Sequence, residues 1–216
     1  MIKLDKQTKV ASLTLITIVL ALIFLSISFT AKANDMMPIL KGIGGNFSLQ
    51  SSRGGEVSLS DFEGKVLMMF FGYTNCADIC PTTMAHISQL MNSLPPKQRE
   101  QVQVLFISID SEYDTPKHLN KYLSYFDPNF IGLVDSRDKI DHVAELYKAE
   151  YAKLANEKVT TEYKKLSLEG DDKTQKGYLY SHTAKIFVID GKARVRGFFY
   201  TGTPIADMKQ QLISLL

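Results

Sequence analysis

Val66-Leu67-Met68-Met69-Phe70-Phe71-Gly72-Tyr73-Thr74-Asn75-Cys76-Ala77-Asp78-Ile79-Cys80-Pro81 carries the chain from an unbroken apolar run into a pair of cysteines. Six apolar residues in succession suit a strand covered on both faces, as in the middle of an α/β sheet. Residues 102–109 repeat that pattern. Between the two runs, Met84, Ile87, Leu90, Met91 and Leu94 fall on one helical stripe. A strand, a helix and a second buried strand in this order form a parallel crossover.

Working outward, residues 47–50 and 56–59 flank Ser51-Ser52-Arg53-Gly54-Gly55 and read as a β-hairpin, followed by a helical turn over 60–63 that Gly64 ends. Downstream, Asp114 and Thr115 are cap candidates for a helix with Pro116 in its first turn and the stripe Leu119, Tyr122, Leu123, Phe126. A short strand over 130–134 precedes a helix marked by Ile140, Val143, Ala144 and Tyr147. Residues 185–190 and 194–200 form a second hairpin across Gly191-Lys192, and Ile205, Met208, Leu212 and Leu215 stripe a terminal helix after Pro204. The order predicts an α/β fold, a central mixed sheet flanked by helices and closed by an antiparallel hairpin. Residues 152–178, with eleven charges and almost no periodicity, read as a long functional loop.

The N-terminus is organised differently. Lys3, Lys6 and Lys9 precede residues 10–31, which contain no charge. As a helix these would extend about 33 Å, against a hydrocarbon core of ~30 Å. Residues 1–33 are therefore expected to be a membrane anchor or signal segment, 34–45 a tether, and 46–216 the folded domain. The lysines place the body on the outer side, as a single-pass inner-membrane protein facing the periplasm, or secreted there if Ala31-Lys32-Ala33 is a cleavage site. In all, 45% of the 216 residues are hydrophobic and 22% charged, which excludes a disordered or low-complexity chain. Without residues 1–33, 21 basic and 22 acidic residues remain, so the body has no electrostatic footprint for nucleic acid.

Cys76 and Cys80 follow a buried strand at its carboxyl end, where ligand sites of open α/β sheets gather. Their i, i+4 spacing lets both sulfurs converge, and the N-terminal end of a helix favours thiolate. A stabilising disulfide gains little from so short a loop. A thiol–disulfide oxidoreductase and a soft-metal site remain open, although the usual redox spacing is one residue shorter. Two cysteines cannot hold an iron–sulfur cluster. His86, His118 and His142 lie off the apolar stripes and read as solvated surface histidines. His182, in Tyr180-Ser181-His182-Thr183, is expected to reach the same rim as the cysteines; two thiolates and one imidazole make a poor structural zinc site and an acceptable copper site. Asp78 either tunes the cysteines or caps the turn. Met36 and Met37 belong to the tether, and Asp110, Glu112 and Asp114 lack the glycine hinge and distal glutamate of a calcium loop.

The stretch from Phe71 to Thr82 resembles the signature of the Sco/SenC copper chaperones of cytochrome c oxidase assembly. Val57-Ser58-Leu59-Ser60-Asp61-Phe62-Glu63-Gly64-Lys65, Phe106-Ile107-Ser108-Ile109-Asp110, Asp114-Thr115-Pro116, Phe130-Ile131-Gly132-Leu133 and Tyr180-Ser181-His182-Thr183 are similar too, over roughly residues 43–216. The resemblance implies a thioredoxin-like fold, a membrane tether, and copper held as Cu(I), Cu(II) or both by Cys76, Cys80 and His182. Implied partners are the copper-bearing subunit of cytochrome c oxidase, a copper donor protein and a thioredoxin-like reductant that keeps the cysteines reduced. The chain departs from the family in Ala77, where proline is usual, in Ser181, where an acidic residue is usual, and in Ser111 to Tyr113. Loss of the acid at 181 is expected either to loosen the imidazole or to change contact with a partner. The rival from another class is a periplasmic thiol–disulfide reductase using Cys76 and Cys80 alone. Such enzymes typically face their cysteines with a cis-proline, and this chain has no proline between Pro128 and Pro204.

Overall fold

The structure is a computed structural model that describes residues 37–154 and 179–216. Its nine strands are β1 (Ser48–Ser51), β2 (Glu56–Ser58), β3 (Val66–Gly72), β4 (Val102–Ser108), β5 (Ile131–Val134), β6 (Tyr151–Leu154), β7 (Leu179–His182), β8 (Lys185–Ile189) and β9 (Val195–Tyr200). The α-helices are α1 (Ile79–Ser93), α2 (Pro96–Arg99), α3 (Pro116–Ser124), α4 (Arg137–Tyr147) and α5 (Ile205–Ile213), with a 3-10 turn at Leu59–Phe62. Seven strands form one sheet in the order β2-β1-β5-β4-β3-β8-β9, and β6 and β7 form a separate antiparallel ribbon. β3, β4 and β5 are parallel, whereas β8 and β9 close the far edge antiparallel.

The continuous apolar runs explain this layout. Every residue of β3 is buried, as are six of the seven in β4, because helices cover both faces of the sheet centre. α3 lies directly on β5 at Gly132, where an added Cβ would stand 2.7 Å from Leu119 Cβ and 3.0 Å from Leu123 Cδ1. The expected hairpins, crossover helices and terminal helix all form at their sequence positions. Thr115 caps α3 by accepting the His118 N–H at 3.2 Å, while Asp114 turns its carboxylate inward.

Two sequence expectations change. The stretch read as a tether is docked from Met37 onward. The Met37 side chain is buried against Gly197, its carbonyl accepts from the Arg196 guanidinium at 2.8 Å, and the N–H groups of Leu40 and Gly44 donate to the Val195 and Leu146 carbonyls. Satisfying these backbone groups outweighs the looseness that a proline- and glycine-rich composition suggests. The second change concerns 152–178. Ala152 to Leu154 are strand rather than loop, since β6 pairs with β7 in the register Tyr151↔His182 and Lys153↔Tyr180. Residues 155–178 and 1–36, including the apolar stretch over 10–31, lie outside the described residues. Among the described residues no helix is long and apolar enough to cross a membrane.

Gly132→Ala is expected to push α3 off β5 and cost about 1–3 kcal/mol, the range for overpacking a close-packed contact. The check is a lower urea midpoint with an unchanged denaturant slope.

Candidate metal centre

β3 releases the chain at the carboxyl edge of the sheet, and a buried network holds the turn beyond it. Asp114 Oδ2 accepts from the Thr74 N–H at 3.1 Å and from Ser108 Oγ at 2.6 Å, and the Thr74 hydroxyl donates to Oδ1. Burial raises the pKa of Asp114 and neighbouring Asp110 pushes the same way, against the lowering effect of these hydrogen bonds. The Cys76 N–H donates to the Tyr73 carbonyl at 3.3 Å, closing a turn that places Cys76 just before α1 and Cys80 within its first turn. Gly72 completes the seat: an added Cβ would lie 3.0 Å from Cys80 Sγ and 2.8 Å from the Phe70 ring. Only a residue without a side chain lets that sulfur rest against the strand.

His182 arrives from β7, 102 positions beyond Cys80. Its Nε2 stands 3.5 Å from Cys80 Sγ, and the two sulfurs and the imidazole nitrogen all lie within 4.8 Å of one another. The edges of two rings orient the imidazole: Phe70 at 5.7 Å between centroids and Tyr73 at 6.0 Å, both close to perpendicular. Its Nδ1 is buried and has no hydrogen-bond partner among the described residues. Ser181 is exposed on the opposite face of the ribbon, as strand alternation requires. The exchange of an acid for Ser181 therefore alters the outer surface, not the setting of the imidazole.

Both cysteines are free thiols, and their environments split them. Cys80 is fully buried and donates its S–H toward Cys76, a contact that together with burial pushes its thiol pKa up. That hydrogen bond lowers Cys76 to about 3, reinforced by His182 and by the main-chain N–H groups of Asp78 and Cys80 and opposed by burial. Asp78 thus acts through its backbone; its carboxylate makes no cap bond. The pair holds one proton, giving a thiolate, a thiol and an imidazole nitrogen at one point. Among the described residues no fourth His, Cys, Asp or Glu joins the group. Two soft sulfurs and one nitrogen suit a soft, low-coordinate ion better than a closed tetrahedral one. An open cleft of 350 Å³, lined by Glu150, Tyr151, Ala152, Ser181 and Thr183, leads to His182 from solvent.

The remaining candidates stay outside this cluster. His86 departs from its expected solvated role: it is half-buried, with Nε2 2.7 Å from the Thr203 carbonyl, because the turn after β9 folds over α1. His118 lies edge-on to Tyr113, 3.5 Å from Asp114 Oδ1, and His142 is exposed on α4. Among the described residues Asp110, Glu112 and Asp114 do not form a metal-holding group; Asp110 and Asp114 are buried, and Glu112 pairs with Lys153 at 2.9 Å. Sequence reading missed Gly72, Tyr73 and Asp114 as supports of the site; the one signal was their place immediately beside the cysteine stretch or at a helix start.

Known proteins resemble this chain over most of its length. The SCO1/SenC family profile matches residues 38–216. An SCO2-like protein of Rickettsia conorii is 29% identical over 79% of this chain and 75% of its own, and a putative copper-binding protein of Stutzerimonas stutzeri is 32% identical over 74% and 70%. The structure of Bradyrhizobium japonicum ScoI with copper bound superposes with a TM-score of 0.67 at 31% identity, covering 81% of this chain and 99% of that one. These neighbours identify the fold as thioredoxin-like α/β.

The split cysteines have a pH signature. Between about 3 and the ordinary thiol pKa of about 8.5, the native pair binds one proton and the unfolded pair nearly two. Stability therefore rises with pH across that window, and it falls again above it, where native Cys80 retains a proton that the unfolded thiol has lost. Alkylation of the reduced protein is expected to show one fast thiol per chain from about pH 5 to 8. Cys76→Ser should abolish both the fast phase and the upward slope of stability.

Proposed function

This chain belongs to the SCO1/SenC family, and from that premise we propose that it is a copper carrier whose cargo sits between Cys76, Cys80 and His182. The approach of the three donor atoms to within 4.8 Å carries the reading. Relatives with copper bound support the choice of metal, and the Sco family is one of cytochrome c oxidase assembly proteins. Copper arrives as Cu(I) on the Cys76 thiolate. Cys80 then gives up its proton as its sulfur binds, so loading releases close to one proton per ion at neutral pH. His182 completes a three-ligand site, and thiolate with imidazole also accommodates Cu(II).

A site with three donors, one of which, His182, lines an open cleft, leaves room for an incoming ligand. An acceptor's cysteine or histidine enters from the cleft side, and copper passes by stepwise exchange. The acceptor in this reading is the copper-bearing subunit of cytochrome c oxidase. A separate donor protein loads the site, and a thioredoxin-like reductant restores the dithiol. The body works on the periplasmic side of the inner membrane, held there by residues 1–33 or released by cleavage after Ala33.

One observation favours a second reading. A low-pKa, half-buried Cys76 before a buried Cys80 is the arrangement of an attacking and a resolving thiol. In a reductase, Cys76 thiolate would attack a substrate disulfide and expel one substrate thiolate. Cys80, once deprotonated, would then displace the second, leaving Cys76 and Cys80 oxidised. His182 has no part in that sequence.

Competition against a chromophoric Cu(I) chelator separates the readings. Cys76→Ala and Cys80→Ala should each weaken Cu(I) binding by at least about 100-fold, or roughly 2.8 kcal/mol, and His182→Ala should weaken Cu(II) more than Cu(I). Gly72→Ala keeps all three donors but crowds Cys80 Sγ, and should weaken binding by about tenfold. Unchanged affinity in the three donor variants ends the carrier reading. A disulfide-reduction rate that survives His182→Ala at full value, with copper affinity in the wild type weaker than micromolar, establishes the reductase instead.

A further inference from the structure

The two cysteines and the histidine stand on different pieces of the fold. Cys76 and Cys80 hang from β3 and α1, whereas His182 ends β7, in a ribbon that is not part of the seven-stranded sheet. Several described contacts tie that ribbon down, and most are exposed. Lys153 pairs with Glu112, the Tyr151 hydroxyl donates to Asp141, and Arg137 stacks over the Tyr151 ring at 4.8 Å. Exposed pairs of this kind contribute about 0–1 kcal/mol each and fade with salt.

Tyr73 makes a contact of another kind. Its side chain is 1% exposed, and its hydroxyl accepts the Tyr180 N–H at 3.2 Å, two residues before His182. The same ring meets Tyr180 edge-on at 5.2 Å and His182 at 6.0 Å. The Tyr73 carbonyl accepts the Cys76 N–H. One residue thus receives the histidine ribbon on its phenol oxygen and closes the cysteine turn with its main chain. Metal-binding histidines are usually oriented by a hydrogen bond from the second ring nitrogen. Here Nδ1 has none among the described residues, and the aromatic seat and the latch on the backbone supply that constraint.

We propose that Tyr73 is the positioning residue of the copper site: its hydroxyl latches the β6–β7 ribbon to the cysteine turn and thereby sets how fully His182 engages the metal. The metal-dependent half of this inference rests on the copper reading above; the latch itself does not. With the latch closed the imidazole is held on the sulfurs. With it open the site becomes a two-sulfur site that still holds Cu(I) but holds Cu(II) poorly, because the nitrogen donor is what favours the oxidised ion.

The test uses the full chain and Tyr73→Phe, which removes one oxygen and keeps the ring. In the reduced, metal-free protein, amide hydrogen exchange in peptides spanning β6 and β7 should quicken by about tenfold, with β3 and β4 unchanged as the control for global stability. In the Cu(II)-loaded protein, nitrogen hyperfine coupling should weaken and the dissociation constant rise about tenfold, with Cu(I) affinity altered less than threefold. Tyr73→Phe combined with His182→Ala should bind Cu(II) no more weakly than His182→Ala alone. Unchanged ribbon exchange overturns the latch, and full additivity of the two substitutions overturns its action through His182. A wild-type chain without copper affinity, combined with a ribbon that loosens in Tyr73→Phe, refutes the copper reading and its metal-dependent half while supporting the latch.

Discussion

β3 is covered on both faces and hydrogen-bonded along both edges, by β4 on one side and β8 on the other. Its last residue, Gly72, therefore occupies a fixed point, and the site is hung from that point. Cys80 Sγ rests against Gly72, Thr74 is pinned to Asp114, and the Phe70 and Tyr73 rings form the wall against which the imidazole stands. Packing in a dry, close-packed interior resists displacement far more than a surface loop does. The three donor atoms are thereby brought together.

The same burial explains the uneven protonation of the cysteines. Two thiolates a hydrogen bond apart in a medium of low dielectric repel strongly, so the pair keeps a single proton. The better-solvated sulfur, Cys76, carries the charge, helped by the main-chain N–H groups at the start of α1; the buried one keeps the hydrogen. In the proposed carrier, an incoming cation replaces that proton. Entry is thus a trade of one positive charge for another, which limits the electrostatic cost of filling a half-buried site.

Much of this was legible from the residues. An unbroken apolar run identified β3 and a largely apolar one β4, helical stripes identified α1, α3, α4 and α5, and glycine turns marked both hairpins. The convergence of Cys76, Cys80 and His182 was legible because these residues are chemically distinctive. What failed had physical reasons. β6 is four residues long, half-exposed and charged, and it exists only through its pairing with a distant strand. The docking of Met37 depends on a pocket above Gly197 that no local pattern announces. Asp114 and Thr115 carry the same capping signal, and tertiary partners, Thr74 and Ser108, chose which one turned inward. His86 looked solvated because helical periodicity does not foresee a turn folding back over α1.

A donor carried on a ribbon outside the main sheet has a bearing on how such a protein could diversify. Substitutions at the exposed positions of β6 and β7 leave both the ladder of the seven strands and the buried Tyr180 contact intact, so the proposed third ligand can be tuned without endangering the scaffold. The cysteine turn allows no such liberty, wedged as it is between Gly72 and α1. Evolution or a protein engineer can accordingly treat the ribbon as an interchangeable part. Grafting a different one onto this body is a route to new metal preferences on an old frame.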